Sequence, residues 1–324
     1  MPSIRILALP LAVAGLVVSA CSTPSGPASP MVNDYACGQL DIQVSADPDS
    51  RLLSVDYLDK RMLLKPAEAA SGALYVAPGD DSTRLWTKGE RAMLSIRGQK
   101  YPECLQPGAL AMPFSAQGNE PFWRAKVQAG MLEVTRPYEP DAIMSVLVEQ
   151  KTADRHGREF VGEADGMRAV LTVATQLCQD TMSGVQFPNQ ARLTLNGEVY
   201  EGCGGDPLRL FRGAEWVVDD LAEQGIIDRS RMSVRFLENN RVSGRGSCNR
   251  YSGRYEFSGE GGLTFSRLAA TRMACAPALM MQEDRFFDVM GRVSGARIGQ
   301  AGELLLTTPQ GEVIKAFQSG HDSP

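Results

Sequence analysis

Apart from Cys21, the chain holds six cysteines, at positions 37, 104, 178, 203, 248 and 275, and they constrain its fold more than any other feature. None forms a C-x-x-C pair and there are only two His, so a zinc cluster lacks its usual ligands. An even set in an exported chain reads instead as three disulfides. Fifteen pairings are possible. Joining neighbours in order (Cys37 with Cys104, Cys178 with Cys203, Cys248 with Cys275) keeps each loop inside one small unit. Each such bond contributes about 2–4 kcal/mol, a large share of the stability of a unit of about 70–110 residues.

Export is legible at the start of the chain. Arg5 precedes an apolar run, Ile6 to Val18, that is too short to span a bilayer, which needs about 20 apolar residues, and right for a signal peptide. The run ends Val18-Ser19-Ala20-Cys21, which resembles a bacterial lipobox. Residues 1–20 are thus expected to be a lipoprotein signal, with Cys21 the lipidated first residue of the mature chain and 21–33 a tether. Ser22 to Pro30 holds only Ser, Thr, Pro, Gly and Ala and has nothing to bury. By resemblance to other lipoproteins, Ser22 after the lipidated cysteine implies sorting to the bacterial outer membrane, facing the periplasm. The net charge is −5, and losing the leader removes one cation and no anion. That argues against nucleic acid as a partner.

The rest divides into three segments, 34–104, 114–206 and 207–319, and all read as mainly antiparallel β. Leu40, Ile42 and Val44 alternate ahead of an "ADPDS" turn, and Ala92, Leu94 and Ile96 alternate again. Met167, Ala169, Leu171 and Val173 line one strand face, and "ARLTLNGEVYEGC" is an Asn-Gly hairpin. In the last segment, "ELLLTT" and "GEVIKAF" flank a Pro-Gln-Gly turn. One helix is predicted, in "APALMMQEDRFFDVMGRV", where Leu279, Phe286, Met290 and Val293 recur at helical spacing, Pro277 suits the start and Gly291 lies near the end. Its methionines read as core filling. The expected class is all-β, with three small β-rich modules and one amphipathic helix in the C-terminal one.

Catalytic motifs are missing. His156 sits in a charged turn and His321 in the polar tail, so a Ser-His-Asp triad is poorly supplied. There is no G-x-S-x-G, H-E-x-x-H or Walker sequence. "GRGSCNRYSG" contains a G-x-G without the βαβ context that dinucleotide binding needs. Nothing selects a carboxylate pair for glycoside hydrolysis. No catalytic residue, cofactor or metal is assigned, and the chain is expected to be a binding protein rather than an enzyme.

The first segment carries Tyr35-Ala36-Cys37, then Ser71-Gly72-Ala73-Leu74-Tyr75, then Leu85-Trp86-Thr87-Lys88-Gly89-Glu90-Arg91, and finally Tyr101-Pro102-Glu103-Cys104. In this order the stretches resemble the membrane-bound inhibitors of C-type lysozyme (MliC-like). Leu74 stands where that family often has Arg, and Leu85 where Phe is common. The resemblance implies a compact barrel closed by a disulfide. It also implies that Ser71 and Lys88 enter the lysozyme cleft, with Gly72, Gly89 and Tyr75 completing the surface, although Tyr75 and Trp86 also suit packing. Lysozyme cuts glycan with two carboxyl groups, one a general acid and one ionised. An ammonium suits such a groove, a hydroxyl can donate to the second carboxyl, and glycine turns let the backbone come close. The segment holds 11 acids against 9 Lys and Arg, a mildly acidic rim for a basic partner.

The middle segment, with "GNEPFW" and "LCQDTMSGVQFPNQARLTLNGEVYEGCGG", resembles an uncharacterised periplasmic domain of bacterial lipoproteins. Phe122 and Trp123 are expected in its core, and Asn119 and Glu120 at a turn. The last segment, with Trp216-Val217-Val218, "VSGRGSCNRYSGRYE", "ATRMACAP" and Glu283 leading "DRFFDVM", resembles the META/HslJ domain, linked to heat-shock and envelope-stress proteins. Asn249 and Arg272 read there as exposed polar residues. The functional expectation is an envelope lipoprotein, anchored by its N-terminal lipid, that inhibits C-type lysozyme. The alternative is a non-inhibitory envelope-stress or structural lipoprotein with a META/HslJ-type binding role.

Overall fold

The computed structural model describes residues 32–46, 52–135, 137–138, 143–164, 166–259 and 261–320. The leader, Cys21, the Ser22–Pro30 tether, all but the first residue of the "ADPDS" turn, and His321 lie outside the described residues. No helix among the described residues is long and apolar enough to cross a membrane. Every strand ladder is antiparallel, and the strands form three nine-stranded sheets with a separate two-stranded ribbon, Cys178–Gln179 with Gln186–Phe187.

The first sheet closes on itself. Val32–Cys37, Leu40–Ala46, Leu53–Tyr57, Lys60–Ala67, Ala73–Ala77, Asp80–Lys88 and Arg91–Ile96 follow one another as a meander. The short strand Cys104–Leu105 then pairs with both Arg91–Ile96 and Val32–Cys37 and closes the barrel, while the two-residue strand Gln99–Lys100 pairs with Arg91–Ile96 alone. Val32 and Asn33, read from sequence as the end of the tether, already pair with Ser45 and Val44. Alternation puts Leu40, Ile42, Val44, Val55, Leu64, Leu85 and Leu94 inside. Cys37 faces Cys104 across the closing ladder, and the two are disulfide-bonded.

The second sheet curls around Trp123, Leu132, Phe160, Leu171 and Leu193 and ends on Ile143–Leu147 and Glu149–Asp154. The expected hairpin is present: Asn189–Leu195 and Glu198–Gly204 pair in register across Asn196-Gly197. Trp123 is fully buried, but Phe122 is 41% exposed, against expectation. Adjacent residues of a strand point to opposite faces, so only one of the two rings can enter the core. Phe122 instead lies under the Arg124 guanidinium, 5.1 Å from the ring centre. Cys178 and Cys203 form the second disulfide.

The third sheet runs from Leu263–Phe265 to Gly295–Ile298, and a lone bridge from Gly262 to Gly295 joins its ends. The helix, Pro277–Arg292, packs Phe286, Val289 and Met290 into the core with Trp216, Tyr251 and Ile314. Cys248 and Cys275 complete the in-order pairing.

Specific bonds join the modules. Arg209 donates to the carbonyls of Glu103 (2.9 Å) and Ala36 (3.2 Å), and Gln39 N donates to Arg212 O (2.8 Å). The Gln186 side chain exchanges two hydrogen bonds with the Ile298 backbone (3.0 and 2.7 Å).

Candidate functional site

The two polar loops named from sequence meet at one end of the first barrel. Ala73–Ala77 and Asp80–Lys88 form a hairpin in which Ala73 faces Thr87 and Leu74 faces Trp86. Ser71 and Gly72 therefore lie at the open end of that hairpin, beside Lys88. Lys88 begins the next turn, facing Arg91 across Gly89-Glu90.

The Ser71 loop is pinned by Trp86, whose indole Nε1 donates to Ser71 O at 2.8 Å. Gly72 has φ +68, and a Cβ there would sit 2.4 Å from Thr87 O. The loop thus lies directly on its neighbouring strand, where a side chain would force it away. Gly89 also has a positive φ (+58) but faces open space. It supplies the tight turn and leaves room in front of the loop. Ser71 and Lys88 are both exposed. Among the described residues, no hydrogen bond or ion pair engages the Lys88 ammonium. Tyr75 turns inward and packs against the core with Leu85 and Leu94, whereas Trp86, on the outer face, fixes the Ser71 backbone.

Glu90, next in the same turn, is held from outside the barrel. Its carboxylate accepts from Arg158 Nη2 of the second module (2.7 Å), and its carbonyl accepts from Gln106 N (2.9 Å). The Arg158 side chain is only 3% exposed and also donates to the carbonyls of Asp154 and Gly157. Sequence reading did not connect Glu90 to Arg158, because nothing local links residues 68 apart.

The other modules organise polar groups differently. Asn119 donates to Asp180 (2.6 Å), which also accepts from Met182 N, Ser183 N and the Ser183 hydroxyl. Burial pushes the Asp180 pKa up, but the bonds from Ser183, Asn119 and Met182 outweigh it and hold the carboxyl below its ordinary value. In the third module, Asn249 is only 7% exposed, correcting the sequence expectation, while Arg272 is exposed as expected. Glu283 of the helix accepts from Cys248 N (2.8 Å), Asn249 N (2.6 Å) and Asn249 Nδ2 (2.7 Å). Asn249 Oδ1 in turn accepts from Thr271 Oγ1 and Met273 N. These bonds tie the helix to both arms of the Cys248–Cys275 bridge. The buried groups are satisfied within the fold, as structural groups are. No group of three His, Cys, Asp or Glu among the described residues is placed to hold a metal.

One end of the closed barrel thus offers a hydroxyl loop pinned through Trp86 and an ammonium with no partner among the described residues. Comparison with known families makes this more specific. Residues 35–103 match the membrane-bound lysozyme-inhibitor of c-type lysozyme family (MliC), and residues 209–321 match the META domain. The chain therefore carries an MliC domain and a META domain, with a further nine-stranded sheet between them. MliC is an inhibitor family rather than a catalytic one. A solved structure, described as the NMR structure of the protein from Burkholderia xenovorans, is 20% identical over 35% of this chain and 86% of that chain, with a TM-score of 0.30. No curated protein matches the chain.

Proposed function

We propose that the chain is an envelope lipoprotein whose first module inhibits C-type lysozyme stoichiometrically, with Lys88 and Ser71 entering the catalytic groove. The observation that carries this reading is the exposed pair of loops at one barrel end, with Ser71 pinned through Trp86 and Lys88 unpaired. Lys88 would donate to one catalytic carboxylate and Ser71 to the other. Neither needs to break an internal bond first, so the ammonium's charge is available to the partner. Gly89 lets the Lys88 turn approach, Gly72 keeps the Ser71 loop flat on its strand, and Tyr75 supports both from within. Cys21 would carry the lipid and Ser22–Pro30 the tether, placing the barrels on the periplasmic side of the outer membrane.

The test is titration of the full chain against a C-type lysozyme in a cell-wall lysis assay. Inhibition near one equivalent is expected. Ser71→Ala with Lys88→Ala should leave the fold intact and weaken inhibition at least about tenfold, consistent with loss of a charge-assisted contact and its neighbour. Equal inhibition by the double variant removes the two loops from the mechanism. No inhibition by the parent chain favours the non-inhibitory structural lipoprotein.

A further inference from the structure

Where the first and third modules meet they enclose a cleft of about 600 Å³ whose lining reverses the charge of the chain, net −5 overall. Lys60, Arg97 and Lys100 line it from the first barrel, and Arg212, Arg231 and Arg235 from the third. Against these stand two acids, Glu215 and Glu238. Glu215 is already engaged by Arg231 (3.2 Å) and Arg235 (3.0 Å). Arg212 donates to Tyr255 Oη (2.8 Å) and Asn240 Oδ1 (3.3 Å). The side chains of Lys60, Arg97 and Lys100 have no hydrogen bond or ion pair among the described residues.

Arg97 is held in place by its turn. Its φ is 51, in the left-handed region that side chains other than glycine avoid. The conformation is held by buried Thr83, whose hydroxyl accepts from Arg97 N (2.7 Å) and donates to Asp80 (2.5 Å). Arg97-Gly98 is the two-residue turn between the paired residues Ile96 and Gln99, and this turn carries an unpaired cation to the mouth of an already basic cleft. Like charges facing each other repel, and a cleft lined with one sign of charge concentrates the opposite ion.

We propose that this inter-module cleft binds a multiply charged, phosphate-bearing ligand. Guanidinium forks match phosphate oxygens in pairs, and the lysines add point charge. Sites at domain interfaces commonly have this size and enclosure. The phosphate could belong to a soluble phosphorylated sugar or to a lipid headgroup, and the chemistry of recognition is the same. The site does not involve Lys88 or Ser71, so it stands or falls apart from lysozyme inhibition.

Calorimetry with inorganic pyrophosphate tests this on the full chain carrying Cys21→Ser, so that no lipid is attached. Binding at roughly millimolar or tighter affinity is expected, weakening as salt rises. Arg97→Gly, which keeps the left-handed backbone, combined with Lys100→Ala should weaken it at least about tenfold. Lys65→Ala, on the first barrel but outside the cleft, should leave it unchanged. Vesicles then separate the sources. Association with phosphatidylglycerol but not phosphatidylcholine vesicles, competed by pyrophosphate, assigns the headgroup, and pyrophosphate binding without vesicle association assigns a soluble ligand. No pyrophosphate binding at low salt, or binding that the double variant leaves intact, overturns the proposal.

Discussion

Lys88 and Glu283 are both charged residues at the margins of their modules, yet they occupy opposite environments. Glu283 is 6% exposed and accepts three hydrogen bonds that join the helix to the loop at Cys248 and Asn249. Lys88 is exposed and engages no partner of its own among the described residues. A charge taken out of water must be satisfied inside the fold, and removing it strands its donors. A charge left in water adds little to folding and stays available to another molecule. Position in the fold, more than residue type, separates the two roles.

The largest expected effect follows directly. Glu283→Ala leaves Cys248 N and Asn249 N without acceptors in a buried site and should destabilise the third module by about 3–5 kcal/mol in denaturant unfolding. Lys88→Ala should change stability by no more than about 0.5 kcal/mol while weakening lysozyme inhibition. If Lys88→Ala destabilised the chain as much as Glu283→Ala, the ammonium would be a folding residue and the contrast would fail.

Arg158 connects the two kinds of environment, being a buried cation that neutralises a carboxylate two residues from Lys88. Without it, Glu90 would present a free negative charge to the same acidic groove that Lys88 is proposed to enter. Arg158→Gln should therefore weaken inhibition about three- to tenfold, the scale of one partly screened charge interaction. Adding Glu90→Gln should restore it, because the unwanted charge is then gone. A loss that Glu90→Gln does not restore would mean that Arg158 acts by holding the modules together instead.

These pairs also mark how far the sequence could be read. Leu40, Ile42 and Val44, the Asn196-Gly197 turn and the Phe286–Met290 stripe were legible because each is a local pattern with its own periodicity. Cysteine order anticipated the three bridges because each closes within one module. Glu283 was missed as a structural residue, although a signal existed: it lies three residues before Phe286 and seven before Met290, on the helix's apolar face. Asn249 looked exposed because polar residues next to glycine and serine usually are, and only the helix packed over it shows otherwise. The Glu90–Arg158 and Asn119–Asp180 contacts had no local signal, since they depend on how distant strands come together.

Asp180 gives the smallest and most conditional effect. Its carboxyl is held below its ordinary pKa because hydrogen bonds from Ser183, Asn119 and Met182 outweigh the opposing effect of burial. A carboxyl with a depressed folded-state pKa stabilises the fold fully above its unfolded pKa, about 4. That contribution fades as pH falls through the depressed folded value. Asp180→Asn removes the titration and keeps the shape. The stability gap between parent and variant should thus be constant from neutral pH to about pH 5 and shrink below about pH 4. A gap for Asp180→Asn that widens on acidification would show that the hydrogen bonds favour the neutral acid, and would remove Asp180 from the set of satisfied charges to which Glu283 belongs.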